Sequence, residues 1–174
     1  MKALSALIPV MLVACGGNTQ PPPAVVGQPH AAQDTRLMDE NKRLARREEG
    51  DIQDWIRRQG GDMLSTGTGL RYKLVRDVPG DTAQPEQVAV VNFAVFLLNG
   101  DTCYVSEPGK PGRFRIEHSD VESGLQEGIQ HLSVGDSAVL VIPSALAFGL
   151  LGDRDKIPMR STVVYHIGLV ALRK

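Results

Sequence analysis

The sequence predicts an α+β fold in which one short helix lies against an antiparallel sheet. Three stretches carry that expectation. Within Val121 to Gly149, VESGLQEGIQHLSVGDSAVLVIPSALAFG, the residues Leu125, Ile129 and Leu132 fall at i, i+4 and i+7, and Gly135-Asp136 follows with turn chemistry. Ala138 to Ile142 is an unbroken apolar run bounded by Pro143, the pattern of a buried strand. Asn99-Gly100, with Val88 to Leu98 before it and Asp101 to Ser106 after it, signals a hairpin.

Taken in order, the chain of 174 residues suits one compact domain with appendages. Met1-Lys2 followed by the apolar Ala3 to Ala14 is too short for a spanning helix and ends in small residues, as a cleavable signal does. Leu12-Val13-Ala14-Cys15 resembles the bacterial lipoprotein box, in which the cysteine thiol receives a diacylglycerol and the peptide is cut before it. The competing reading is an ordinary secretory signal with an incidental cysteine. Gly16-Gly17 stands where an aspartate is associated with inner-membrane retention, which points to an outer membrane and the periplasm. Residues 15–33 are rich in Pro, Gly, Gln and Ala, with Pro21-Pro22-Pro23 favouring an extended chain, so they read as a tether.

Residues 34–60 read as a charged amphipathic helix. Asp34 caps it; Leu37, Leu44, Ala45, Ile52, Trp55 and Ile56 lie near one stripe; Gly60-Gly61 ends it. Gly50 costs about 1 kcal/mol against alanine and marks an expected break. The stripe is expected to dock on the main domain; a homodimer or client-binding arm is the alternative.

Residues 66–174 form the main domain. Leu70, Tyr72 and Leu74 alternate with Arg71 and Lys73 in a half-buried strand. Phe114 to Glu117 reads as a short strand, and Thr162 to Leu172 as the last one. Leu150 to Arg160 is a loop.

Composition excludes several functions. A formal net charge of −1 provides no field for nucleic acid. The histidines His30, His118, His131 and His166 are scattered and complete no metal site, so no metal or cofactor is expected. His131 is placed late in the short helix, where a positive side chain suits the dipole. No Ser-His-Asp or Cys-His constellation is present. Cys103 reads as a small buried hydrophobe.

From about Gly69 to Lys174 the chain resembles FKBP-type peptidyl-prolyl isomerase domains. The matching pieces are Gly69-Leu70-Arg71-Tyr72, Leu98-Asn99-Gly100, Gly124-Leu125-Gln126-Glu127-Gly128, Val134-Gly135, Val141-Ile142-Pro143, Ala147-Phe148-Gly149, Ile157-Pro158, Ser161-Thr162-Val163-Val164-Tyr165 and Leu169. The order and spacing carry the resemblance, since each piece alone is weak. It implies a curved antiparallel sheet wrapped around the short helix, and an activity on proline-containing polypeptide clients. The pocket it implies is lined by Phe93, Cys103, Phe114, Val121, Leu125, Phe148, Ile157 and Tyr165, with the backbone N–H of Glu122 meeting a client carbonyl.

Several positions depart from the family pattern. Cys103-Tyr104 stands where an aromatic-aspartate pair is usual, Leu125 where a tryptophan is, and Phe148 and Phe93 where tyrosines are. Glu122 replaces an apolar residue, and Gly112 stands near a usual aromatic. Each lost hydrogen bond removes about 0.5–1.5 kcal/mol. The resemblance therefore implies an isomerase that assists folding of exported proteins, with reduced activity. The alternative is a non-catalytic chaperone or binding module on the same scaffold.

Overall fold

The computed structural model describes residues 30–118 and 121–174. The expected signal peptide at residues 1–14, the lipidation site Cys15 and most of the tether lie outside these residues. The elements run α1 (His30–Arg58), β1 (Leu64–Ser65), β2 (Arg71–Arg76), β3 (Val88–Leu97), β4 (Thr102–Val105), β5 (Gly112–Arg115), α2 (Ser123–Ile129), β6 (Ser137–Ile142) and β7 (Val163–Arg173). They form an antiparallel sheet in the order β1-β2-β6-β7-β3-β4, with β5 also paired to β3. β3 is shared along its length: Val88 to Val91 pair with β5, and Ala94 to Phe96 pair with β4. The fold is α+β, as expected.

Alternation along the strands sends side chains to two faces. On β6, Leu140 and Ile142 join the main core while Val141 faces the other way; on β7, Val163 and Tyr165 join it while Val164 does not. The main core lies under α2. This helix can approach β6 closely because it carries Gly124 and Gly128. A Cβ on Gly128 would fall 2.5 Å from Leu140 Cδ1, and one on Gly124 would collide with Ile142. Alanine at either site would force the helix or the facing side chain to shift.

The second face is covered by α1. Ile52 and Ile56 are buried with Val141 and Val164, and Trp55, Met63, Phe96, Leu98 and Val139 pack around them. Glu48 latches the helix to the domain. Its Oε1 accepts from the Ser144 N–H at 2.7 Å and the Thr162 hydroxyl at 2.6 Å, and its Oε2 accepts from the Ser144 hydroxyl at 2.9 Å. Glu49 pairs with Arg71 at 2.7 Å.

Several local expectations differ from the structure. α1 begins at His30, within the expected tether, and runs unbroken through Gly50, which faces open space on an exposed turn. One glycine costs too little to interrupt a helix held by tertiary contacts farther along. The strand expected at Phe114 to Glu117 is β5, which starts at Gly112 and ends at Arg115. Beyond it, Glu117 turns into the left-handed region at φ 63°. α2 ends at Ile129, so His131 is outside it and stacks on Tyr72, with ring centroids 4.4 Å apart. The Asn99-Gly100 turn forms: the Gly100 N–H donates to Leu97 O at 2.9 Å, and the Asp101 N–H to Asn99 Oδ1 at 3.0 Å. Gly100 takes φ 96°, where a side chain would be strained.

Candidate active site

At the open end of the sheet, between β3, β5, β7 and the start of α2, lies a cavity of about 220 Å³. That is below the roughly 300–1,000 Å³ of sites for drug-sized ligands, and is the scale of a single residue. Six of the expected residues meet there: Phe93, Phe114, Val121, Glu122, Leu125 and Tyr165. Phe93 and Tyr165 tilt against each other with centroids 6.4 Å apart.

Strand pairing explains the convergence. Phe93 is paired with Ile167 and Val95 with Tyr165 across β3 and β7, so Phe93 and Tyr165 sit diagonally on one face. Phe114 is opposite Ala89, a residue small enough to leave it room. Leu125 is the first apolar residue of α2 and points into the same space.

Four expected residues do not line this cavity. Cys103 and Ile157 are buried in the main core, 3% and 1% exposed, and so stand behind its wall. Phe148 and Tyr104 are partly buried at the core's margin. The reason for Tyr104 is a bond the sequence did not show. Its hydroxyl donates to Asp153, which also accepts the Ile157 N–H at 2.8 Å and the Asp155 N–H at 2.9 Å. Asp153 thus pins the loop at residues 153–157 to β4 through Tyr104. The bond to Asp153 pushes the Tyr104 phenol up to about 12. Burial works to raise the Asp153 carboxyl, but the Tyr104 hydroxyl and the loop N–H groups outweigh it and hold it below its ordinary value. Burial, with the Asp153 charge behind it, pushes the Cys103 thiol up, so the thiol stays protonated.

Val91, Gly112, Arg113 and Ile167 complete the lining and were not among the expected site residues. Gly112 is there for space. A Cβ on it would come within 2.9 Å of Phe93 Cε1, so the Phe93 ring occupies the place a side chain at 112 would need.

The entry to α2 is held by Gln126. Its Oε1 accepts the Glu117 N–H at 2.8 Å, and its amide nitrogen donates to His118 O and, at 3.4 Å, to Arg115 O. The side chain is buried and ties the end of β5 to the helix. Glu122 precedes α2 but makes no capping hydrogen bond. It takes the Tyr165 hydroxyl on Oε1 at 3.1 Å. Burial raises the Glu122 carboxyl above its usual value, partly offset by its own backbone N–H and the Tyr165 hydroxyl. Burial and the facing Glu122 charge together push the Tyr165 phenol far up, so it remains a donor.

The walls are therefore apolar and aromatic, with one carboxylate, one phenol and the exposed Arg113 among the lining residues. Among the described residues no group of His, Cys, Asp or Glu is placed to hold a metal ion. Such a site can take a small apolar ring out of water. Nothing in its wall is arranged as an activated nucleophile.

Comparison with known proteins identifies the family. The model of the FKBP-type peptidyl-prolyl cis-trans isomerase family matches residues 80–170, more than half of the chain. The chain is 32% identical to the FKBP-type peptidyl-prolyl cis-trans isomerase FkpA of Escherichia coli, over 63% of this chain and 40% of that protein. It is 31% identical to a probable FKBP-type peptidyl-prolyl cis-trans isomerase of Haemophilus influenzae, over 70% of this chain and 50% of the relative. The chain thus spans half or less of the length of these relatives. Among solved structures, a peptidyl-prolyl cis-trans isomerase from Pseudomonas syringae superposes with a TM-score of 0.66 at 22% identity. That match covers 76% of this chain and 96% of the other. FkpA of Escherichia coli superposes with a TM-score of 0.63 at 24% identity, covering 83% and 70%. At these identities the two structures speak for the fold.

Proposed function

Because the chain belongs to the FKBP-type peptidyl-prolyl cis-trans isomerase family, we propose that it catalyses rotation about Xaa–Pro bonds in polypeptide clients. The observation that carries this reading is the residue-sized apolar cavity formed by Phe93, Phe114, Val121, Leu125 and Tyr165. Rotation of the imide has a barrier of about 20 kcal/mol because amide resonance is lost, and unaided it takes tens of seconds. The twisted imide is less polar than the planar one. A dry aromatic pocket therefore favours the transition state over the ground state, with no covalent chemistry needed. The Glu122 backbone N–H is the proposed donor to a client carbonyl. Cys103, Ile157, Phe148 and Tyr104 support the wall and the loop beside it.

The direct test is cis-to-trans relaxation of an Xaa–Pro peptide. The reading expects relaxation faster than buffer, slowed by Phe114→Ala. A rate equal to buffer, from protein shown to be folded, overturns it. A second reading, a chaperone without turnover, draws on Leu150, Leu151 and Met159, which are 62%, 65% and 67% exposed on the loop beside the site. Suppression of client aggregation with no prolyl rate would favour that reading.

We further propose that the chain is lipid-anchored through Cys15 and faces the periplasm from an outer membrane. Support comes from Leu12-Val13-Ala14-Cys15, where a small residue directly precedes the cysteine. Labelling with a fatty-acid analogue that is unchanged in Cys15→Ser would remove this proposal. Leu37 and Met38, more than half exposed near the start of α1, are the surface through which a homodimer would form.

A further inference from the structure

We propose that the Glu122 carboxylate makes this pocket select prolines flanked by lysine or arginine, an inference that rests on the isomerase reading. Glu122 is the one carboxylate among the residues that line the cavity, and the rest of the wall is apolar apart from Tyr165 and Arg113. It occupies the N-cap position of α2, where the shorter Ser, Thr, Asp and Asn ordinarily cap a helix. Here it makes no such bond and lies against β7, where Tyr165 holds Oε1 at 3.1 Å. The phenol is neutral, so the hydrogen bond fixes the carboxylate in place without cancelling its charge.

No described cation cancels it either, since no ion pair among the described residues includes Glu122. Arg113 is the cation nearest in the lining. It precedes the buried Phe114 on β5, is exposed, and forms no ion pair with Glu122. A half-buried carboxylate beside aromatic rings, without a counter-charge, is costly. Burial raises its carboxyl accordingly. A client cation arriving beside the bound proline recovers part of that cost through a charge-assisted hydrogen bond. The methylenes of lysine or arginine lie along an apolar wall without penalty while the head reaches the rim. An acidic neighbour meets like charge instead.

The test uses the full chain in detergent and peptides that differ only in the residue next to proline: lysine, alanine or glutamate. For the wild type, kcat/KM for the lysine peptide is expected to exceed that for the glutamate peptide by roughly tenfold, between the values typical of exposed and of buried charged pairs. The ratio should fall with added salt. In Glu122→Gln, which keeps an acceptor for Tyr165, and in Glu122→Met, it should collapse toward one. An unchanged ratio in a folded variant overturns the inference. If no peptide is accelerated, the isomerase reading fails, and equilibrium binding of the same peptides then decides this inference separately. Tighter binding of the lysine peptide in the wild type alone supports it, and equal binding of all three overturns it.

Discussion

Leu140 and Val141 are neighbours on β6, yet they belong to different halves of the molecule. Leu140 packs under α2 in the large core that ends in the cavity. Val141 packs under α1 with Ile52, Ile56 and Val164. On the first face the helix is brought in by absence: Gly124 and Gly128 let it touch Ile142 and Leu140. On the second it is held by addition, through two isoleucines and the Glu48 and Glu49 carboxylates. The close approach builds a wall for the site. The docked helix covers apolar surface and grips Ser144 and Thr162, which flank the loop beside the site without lining the cavity.

The comparison breaks most visibly if the two faces are emptied in turn. Leu140→Ala removes a fully buried side chain from under α2 and is expected to cost about 2–5 kcal/mol. Because Leu140 is what Gly128 rests on, the prolyl rate should fall as well. Ile52→Ala opens a hole on the other face, with a cost in the same range, but should leave the rate per folded molecule close to that of the wild type. Urea unfolding gives the first quantity and peptide relaxation the second. Equal slowing in both variants would show that α1 is mechanically part of the site.

A smaller effect is expected at the latch. Glu48→Ala leaves the Ser144 N–H and hydroxyl and the Thr162 hydroxyl without their acceptor, at residues 8% and 5% exposed. The expected loss is about 1–3 kcal/mol. Glu48→Gln, which retains one acceptor oxygen, should recover part of it. Hydrogen exchange at the Ser144 amide is the sharper readout. Protection that survives Glu48→Ala would mean that the helix is held by Ile52 and Ile56 alone.

The sequence showed the faces better than it showed their partners. Period-two alternation and the Asn99-Gly100 turn are local, so the strands and the hairpin were legible. The apolar walls of the cavity were legible through the family resemblance, because those residues recur in a fixed order. What it could not show were the partners that the departing residues meet across the fold. Tyr104 looked like the loss of a carboxylate, yet Asp153, far along the chain, supplies one to its hydroxyl. Gly112 looked like a missing aromatic, and it is where the Phe93 ring packs. Glu122 looked like a stray rim charge, and Tyr165 answers it. Each member of these pairs is uninformative until its partner is known. One signal was available: an aspartate in a loop with N–H groups two and four residues on is a known turn former.

The smallest expected effect separates the charge at the cavity rim from the packing around it. Burial raises the folded-state pKa of Glu122, so folding favours its protonated form. Any stability gained this way is complete below the ordinary glutamate range and is lost as the pH rises through the elevated folded value. At neutral pH the ionised side chain is therefore a burden on the fold. Glu122→Gln, nearly the same in shape and still able to accept from Tyr165, should be more stable than the wild type near pH 7. The difference should shrink as the pH falls from the elevated folded value and vanish once it is below the ordinary glutamate range, about 4, where the carboxyl is neutral in both states. Paired urea titrations across that window measure it, with Ile52→Ala as a control from the opposite face, whose deficit should not follow the same curve. A difference that stays constant with pH would assign the effect of Glu122 to shape rather than charge. The contrast between the two sides of the sheet would then rest on packing alone.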